Sequence, residues 1–394
     1  MCAVMSADAT SAQAHGFVLP QTPPEIENFS AYIHIPFCRT RCGYCDFNTY
    51  TQLDFPNGAS IGQYAATLAR EIEMSASYLQ GVSDAVAPRI DTVFFGGGTP
   101  TMLPASDIAA ILEKLVENFE LAPDAEITTE ANPETVTHTY IEDLARAGIT
   151  RISFGMQSAV PSVLATLDRA HTPGQVRKAV GWAHKAGLET SVDLIYGTPG
   201  ETMADWEASV REALDLGVEH ISAYALSLEP GVKMARQIRT GEIASINPDM
   251  QADFYERADE MLSAAGLQWY EISNWAGPGH ECRHNMVYWR GGNWWGYGPG
   301  AHSHIDGIRF WNEKHPVKWA QALEAGEFPI DDGEVLSVAE RSQEEIMLGI
   351  RLAGGIDAGA FPEALLDELA REGLIDVEGG HRFGGAQGER FVTQ

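Results

Sequence analysis

The sequence is poor in basic residues. In 394 residues, 26 Lys and Arg stand against 55 Asp and Glu, which gives a formal net charge of -29 at pH 7. A field of that sign repels phosphate backbones and anionic lipid surfaces. We therefore expect no nucleic acid among its partners, and we interpret the acidity as a solvated surface.

Long apolar runs are also missing, since no stretch approaches the roughly 20 apolar residues that a membrane-spanning helix needs. The N-terminus has neither a basic region nor a long apolar core, so it does not look like a secretory signal. These absences predict a cytoplasmic protein with no transmembrane segment, and they leave peripheral membrane contact open.

The length exceeds that of one usual hydrophobic core, so we expect a large domain and a smaller one. Residues 1–28 are rich in Ala, Ser, Thr and Pro and predict a disordered arm. Residues 29–265 alternate short apolar runs with amphipathic ones, whereas 266–330 are rich in aromatic residues and glycine. Residues 331–394 predict a small helical, winged-helix-like module with a hairpin turn at Gly379-Gly380.

Six short apolar runs, each followed by residues with helical spacing, predict six βα units. The predicted strands are Tyr32–Ile35, Thr92–Phe95, Ala125–Thr129, Arg151–Phe154, Thr190–Ile195 and His220–Ala225. Such a series predicts an α/β fold with a parallel sheet, closed into all or part of a TIM-like (β/α)6 barrel. Functional residues are then expected after the strands' C-terminal ends, where polar or glycine-rich sequence recurs after the first five strands.

Cysteines are few, but three of the five form a C-x3-C-x2-C motif at Cys38, Cys42 and Cys45. Three thiolates on one loop can each bind one iron of a [4Fe–4S] cluster and leave the fourth iron open. An open iron can bind the amino and carboxylate groups of S-adenosylmethionine. The alternative is a zinc site with His34 as fourth ligand, although the second ligand pair of a zinc finger is missing.

The segments Tyr32–Cys38 and Gly96–Thr101 resemble the radical SAM superfamily, in particular its coproporphyrinogen dehydrogenase branch, over about residues 30–230. The resemblance implies further residues that contact S-adenosylmethionine. They are Tyr32, Tyr44, Gly97, Gly98, Thr99, Glu130, Gln157, Arg169 and Asp193. Their chemistry suits the ligand, because carboxylates accept from ribose hydroxyls or an ammonium group and arginine binds a carboxylate.

Two features separate the branches within this resemblance. The porphyrinogen-oxidising enzymes carry a fourth cysteine where this chain has Phe47, and an H-N-x-x-Y-W motif begins at His284. That motif is similar to the one in HemW-type haem chaperones. It implies a protein that binds haem, with His284 as its ligand, and delivers it to acceptor proteins. An electron donor is a further implied partner.

Two other functions remain open at this point. One is an oxygen-independent coproporphyrinogen III dehydrogenase, which would place the chain in porphyrin biosynthesis as an enzyme. The other is a radical enzyme that acts on an unrelated substrate. The sequence therefore leaves open whether the protein is an enzyme or a carrier.

Overall fold

The computed structural model describes residues 17–81, 88–372, 376–378 and 382–384. Its centre is a run of six parallel strands in which each strand pairs with the next in chain order. The strands are β1 (Asn28–Ile35), β2 (Arg89–Gly97), β3 (Leu121–Ala131), β4 (Arg151–Gln157), β5 (Glu189–Tyr196) and β6 (His220–Ala225). All six predicted strands are confirmed, most of them with longer bounds.

Helices follow the strands, as the βα pattern predicted. They are α1 (Tyr64–Gln80), α2 (Ala105–Asn118), α3 (His138–Ala147), α4 (Pro161–Thr166), α5 (Pro173–Lys185), α6 (Met203–Asp215), α7 (Lys233–Thr240) and α8 (Pro248–Ala264). Apolar strand residues such as Ile33, Val93 and Ile152 form one buried core with the apolar faces of these helices. The predicted α/β fold with a partial (β/α)6 barrel is confirmed.

The other face of the parallel strands is polar. Thr92 on β2 donates to Ser30 on β1, and Ser191 on β5 lies 2.8 Å from His220 on β6. Because side chains alternate between the two faces of a strand, the apolar positions pack under the helices while the polar ones line the concave side. The concave side is therefore where charged and hydrogen-bonding groups meet.

Later strands extend this sheet at both edges. They are β7 (Gln268–Glu271), β8 (Asn274–Ala276), β9 (Trp294–Tyr297), β10 (His302–Ile305), β11 (Ile308–Asn312) and β12 (Ile330–Val335). Strand β9 pairs in parallel with β1, and the full order is β12-β11-β10-β9-β1-β2-β3-β4-β5-β6-β8-β7. The sheet thus ends at β12 and β7 rather than closing. The predicted aromatic segment contributes strands to it, which the sequence analysis did not foresee.

Two helices accompany these later strands: α9 (Arg283–Trp289), which crosses the concave side, and α10 (Pro316–Glu324). The C-terminal part contains α11 (Val338–Gly349), β13 (Ile356–Asp357), α12 (Glu363–Arg371), β14 (Asp376–Glu378) and β15 (Arg382–Gly384). Strand β15 pairs antiparallel with β13 and β14. The predicted turn at Gly379-Gly380 lies outside the described residues, between two strands that do pair.

Part of the predicted disordered arm is described, and it packs against the sheet. Phe17 and Leu19 contact the main core, and Tyr78 on α1 donates to the Pro20 carbonyl over 3.1 Å. Residues 1–16 lie outside the described part of the chain. None of the described helices combines the length and apolar character needed to span a membrane.

Candidate cluster and cofactor site

The three cysteines lie on a loop that follows β1, and backbone hydrogen bonds join the two ends of this loop. Cys38 donates its N–H to the Tyr50 carbonyl over 2.9 Å, and Tyr50 donates to the Pro36 carbonyl over 2.7 Å. Within the loop, the Cys45 amide donates to the Cys42 carbonyl over 3.2 Å. All three cysteines are half-buried. A ligand seated on them is therefore held by a loop whose ends are fixed.

Two neighbouring groups point at the sulfur atoms. The Thr99 hydroxyl lies 3.6 Å from Cys38 Sγ, and Arg169 donates Nη1–H to Cys42 Sγ over 3.6 Å. Burial raises the pKa of Cys38 to about 11 and also raises the pKa of Cys45. A bound cation such as iron reverses that preference, since metal coordination requires the thiolate.

Gly98 leaves room beside Cys38 that no larger residue would leave. A Cβ at this position would lie 2.7 Å from the Phe37 carbonyl oxygen, 2.8 Å from the Ile35 carbonyl oxygen and 3.1 Å from Cys38 Sγ. The Gly98 amide donates to that Ile35 carbonyl over 2.7 Å. The end of β2 therefore packs directly against the cysteine loop.

The donor set fits an iron–sulfur cluster better than a single zinc ion. Among the described residues, no three His, Cys, Asp or Glu side chains close around one metal ion. Cluster cysteines stand farther apart, because each binds a different iron atom. His34 is also unsuited as a zinc ligand, since its Nε2 lies 2.9 Å from the Asn48 carbonyl and its Nδ1 3.1 Å from the Tyr32 hydroxyl.

Two half-buried carboxyl groups follow on the concave side. Glu130 on β3 accepts the Gly97 N–H over 3.2 Å, and the Ser153 hydroxyl lies 3.2 Å from both oxygens of Asp193 on β5. Burial, reinforced by Asp193, raises the pKa of Glu130 to about 7. Burial likewise raises the pKa of Asp193, although Ser222 and Ser153 oppose it. Both groups can accept hydrogen bonds from a cationic or hydroxyl-bearing ligand.

Arg169 connects the strand ends to the cysteines. Its Nη2 donates to Asn132 Oδ1 over 2.6 Å and to the Gly155 carbonyl over 2.9 Å. Asn132 in turn donates to the Thr99 hydroxyl over 3.0 Å. The Arg169 Nε is buried and makes no hydrogen bond with the described residues. Asn132 is not among the predicted site residues, although its place after the third strand was a usable signal.

Gln157 ends β4 at a bulge, where the pairing with β5 shifts between Gly155 and Gln157. Its backbone adopts φ 62°, a left-handed conformation that costs a residue other than glycine on the order of 1 kcal/mol. The bulge re-aims this buried residue at the strand end. Strain retained at a predicted ligand position is consistent with a functional role.

The two predicted tyrosines have different surroundings. Tyr44 packs beside a small apolar cluster that includes Val163, Leu167 and Met234, and burial raises its pKa. The Met234 amide on α7 donates to the Gly43 carbonyl over 2.8 Å, so α7 contacts the cysteine loop. Tyr32 lies on the concave side, with its ring centroid 6.4 Å from that of Phe94.

Among these residues, His284 packs beside Tyr32, with ring centroids 6.5 Å apart. Its Nδ1 is 2.7 Å from the Thr92 hydroxyl and its Nε2 is 2.8 Å from the Tyr288 hydroxyl. Thr92 precedes Gly97 by five residues on β2, which is about 16 Å along a strand. The imidazole is 1% exposed, and burial lowers its pKa to about 3. It is a neutral ring with both nitrogens already engaged.

Comparison with known proteins identifies the family of this chain. The profile of the radical SAM superfamily matches residues 32–213. The chain is 45% identical over 355 residues to a protein of Mycobacterium tuberculosis named heme chaperone HemW, covering 89% of each chain. It is 39% identical to the heme chaperone HemW of Synechocystis, covering 87% of this chain and 82% of that one.

Among solved structures, the chain is similar to coproporphyrinogen III oxidase (HemN) from Escherichia coli, described as a radical SAM enzyme. The TM-score is 0.77 at 22% identity, with 93% of this chain and 87% of that one covered. At that identity the likeness shows the fold alone.

The sheet, the cysteine loop and the matched superfamily profile together define a radical SAM protein. Membership of this class implies a [4Fe–4S] cluster and S-adenosylmethionine. Within that class, the identity over nearly nine tenths of both lengths shows that the chain belongs to the HemW family.

Proposed function

We propose that this protein is a haem chaperone of the cytoplasm that binds haem and transfers it to acceptor proteins. The observation that carries the proposal is the 45% identity to a protein named heme chaperone HemW over 89% of both chains. The acceptor proteins and the electron donor of the cluster are further partners that the sequence does not identify. Haem is the cargo, whereas the cluster and S-adenosylmethionine are resident cofactors.

We further propose that Cys38, Cys42 and Cys45 hold the cluster. When bound, it supplies an electron to the sulfonium of S-adenosylmethionine. The half-buried thiols, the adjacent Gly98 and the Arg169 guanidinium on Cys42 support this assignment. A guanidinium close to the sulfur atoms offsets part of the negative charge of the thiolates.

S-adenosylmethionine is then assigned to the concave side beside the cluster. Glu130 and Asp193 would accept hydrogen bonds from its ammonium group or ribose hydroxyls, and Arg169 would offer its unpaired Nε to a carboxylate. The other predicted contacts line the same strand ends and the cysteine loop. They are Tyr32, Tyr44, Gly97, Gly98, Thr99 and Gln157.

The alternative function is that of an oxygen-independent coproporphyrinogen III dehydrogenase, and the fold shared with the Escherichia coli oxidase favours it. Phe47 counts against it. The resemblance places a fourth cysteine at this position in the oxidising enzymes, and here the phenylalanine side chain is 40% exposed. We therefore keep the chaperone as the first proposal.

The experiment is a hemin titration of the anaerobically reconstituted protein, run beside a coproporphyrinogen III assay. We expect a sharpened Soret band, and then its transfer to a haem-free globin added as a probe acceptor. Absence of haem binding would end the chaperone proposal. Turnover of coproporphyrinogen III would establish the alternative.

His284 remains the predicted haem ligand from the family motif. In the structure, iron could reach either ring nitrogen only after the bond to Thr92 or to Tyr288 had broken. His284→Ala in the titration tests this prediction. An unaltered Soret band would contradict it.

A further inference from the structure

The histidines of this protein differ in whether their ring nitrogens are free. Twelve are present, and ten of them, all except His15 and His381, lie in the described residues. In that set, only His302 has no ring nitrogen in a hydrogen bond or an ion pair. The other nine use at least one nitrogen in such a contact. His302 is also exposed, and neither of its ring nitrogens is engaged by another described residue.

A tryptophan orients the imidazole of His302. His302 on β10 lies opposite Trp311 on β11, and the two rings stack with centroids 5.5 Å apart at 27°. The backbone is fixed as well, because Trp294 Nε1 donates to the His302 carbonyl over 2.9 Å. Stacking holds the ring at a defined angle without using a nitrogen.

That arrangement suits a haem iron. An imidazole that coordinates iron stands perpendicular to the macrocycle, so a tryptophan parallel to the imidazole presents its edge to the porphyrin face. Edge-to-face contact is a favourable aromatic geometry. Partial desolvation of the ring, with the cations Lys314 and Arg309, lowers the pKa of His302. The ring is therefore in the neutral form that binds iron.

A lysine near His302 can pair with a propionate group of haem. Lys314 follows β11 by two residues, is exposed, and forms no ion pair within the described residues. Arg309 is not available in the same way, because it pairs with Glu334 over 2.8 Å and Glu344 over 2.9 Å. In a chain of net charge -29, an unpaired lysine beside an open imidazole is a specific attraction for an anionic ligand.

The segment that carries His302 is attached to the cysteine loop through Asn48. The Asn48 side chain donates to the Pro299 carbonyl over 2.9 Å and to the Lys314 carbonyl over 2.8 Å. A Cβ on Gly300 would lie 2.7 Å from Asn48 Nδ2, so the two segments are in close contact. Asn48 is three residues beyond Cys45 and next to the exposed Phe47.

We propose that His302 is the axial ligand of haem, at an exposed site formed with Trp311 and Lys314 next to the cysteine loop. This inference rests on the proposed chaperone function, because it names the residue that would hold the cargo. An exposed site suits a carrier, since an acceptor protein can approach the haem and replace the ligand.

The test is a hemin titration of the full chain with four proteins: wild type, His302→Ala, His284→Ala and His315→Ala. His315 is the matched control, because it is also exposed and lies four residues after Trp311, but its ring lies against Tyr50 and Phe55. We expect His302→Ala to weaken hemin binding at least tenfold, or roughly 1.4 kcal/mol, and to lose the imidazole-ligated Soret position. Added free imidazole should restore that position.

The outcomes separate the two claims. His284→Ala and His315→Ala with wild-type affinity and spectra, beside the loss in His302→Ala, would support the His302 site. Wild-type behaviour of His302→Ala would overturn it, and so would loss of the imidazole ligand in His284→Ala with His302 intact. Failure of the wild type to bind hemin would overturn the chaperone function itself. Circular dichroism checks that each variant folds, and His302→Gln replaces an alanine variant that does not.

Discussion

The two ends of the parallel strands both carry polar groups on the concave side, but they use them differently. At the N-terminal end, Glu126 accepts the backbone N–H groups of Arg283 and His284, each over 3.0 Å. It also lies 3.2 Å from Arg151, which pairs with Glu189 over 2.7 Å. This end is a network of paired charges within the chain itself, in which the buried Arg151 Nη1 makes no hydrogen bond but faces the Glu126 carboxylate as an ion pair.

At the C-terminal end the capacity for hydrogen bonds is not used up. Arg169 keeps an unpartnered Nε within the described residues, and Glu130 accepts a single hydrogen bond from Gly97. Buried polar groups are normally satisfied, so unused donors and acceptors indicate a place where a ligand completes the network. On the same concave surface, therefore, the N-terminal end of the strands has a structural role and the C-terminal end is the binding end.

The largest expected effect that distinguishes the two ends is loss of the cluster when a cysteine of the loop is replaced. Cys38→Ala should reduce iron and acid-labile sulfide in anaerobically reconstituted protein to background, because two thiolates do not hold the proposed cubane. The matched control is Cys282→Ala, which removes a buried thiol that contacts Glu126 at the other end. That variant should retain the cluster. Tightly bound zinc in the wild type would contradict the cluster assignment.

The next effect concerns the N-terminal end. Arg151→Met should lower the free energy of unfolding by about 3 kcal/mol, because it leaves the buried Glu126 carboxylate without its cation. The measurement is chemical denaturation, with cluster content determined in parallel. We expect the cluster to be retained. A stable variant that has lost its cluster would break the comparison, since the two ends would then act as one unit.

Much of the fold and of the cysteine site could be predicted because the signals are local. The strands are short apolar runs, and the C-x3-C-x2-C spacing lies within eight residues. Whether the ring nitrogens of a histidine are engaged does not depend on the neighbouring sequence. His284 is engaged by Thr92, 192 positions away, whereas His302 stacks on Trp311 and leaves its nitrogens open. The sequence contains the same residue type in both places.

The later strands were missed for a related reason. β9 has four residues, one of which is a glycine, and it pairs with β1, so that Ser30 lies opposite Trp294. Short strands with distant partners give little periodic pattern. The aromatic composition of this segment does not reveal that Trp295 is buried, Trp294 half-buried and His302 exposed.

A smaller effect is expected from Gly98→Ala at the binding end. The added Cβ would meet two carbonyl oxygens within 2.8 Å and Cys38 Sγ at 3.1 Å, so the cysteine loop must move. We expect a loss of about 2 kcal/mol in stability and a weaker cluster. Gly181→Ala on α5 is the control, because nothing lies within 4 Å of its Cβ position and alanine favours helix. Equal stability of the two variants would contradict the close packing.

The smallest effect is a pH dependence from Glu130. Its pKa is about 7 in the folded protein against an ordinary value of 4.5, so the folded state retains a proton that the unfolded chain has released. Stability is therefore lost as the pH rises toward and through 7. Between pH 6 and pH 8 this group alone removes about 1.4 kcal/mol in the absence of ligand.

Glu130→Gln has no such proton to release, so its free energy of unfolding should fall less than that of the wild type over the same pH range. Asp193 is present in both proteins, so the difference between the two curves reports Glu130 together with its electrostatic interaction with Asp193. Parallel curves for wild type and Glu130→Gln would mean that the pKa of this carboxyl group is not raised by folding, and would contradict the desolvated carboxyl group at the binding end.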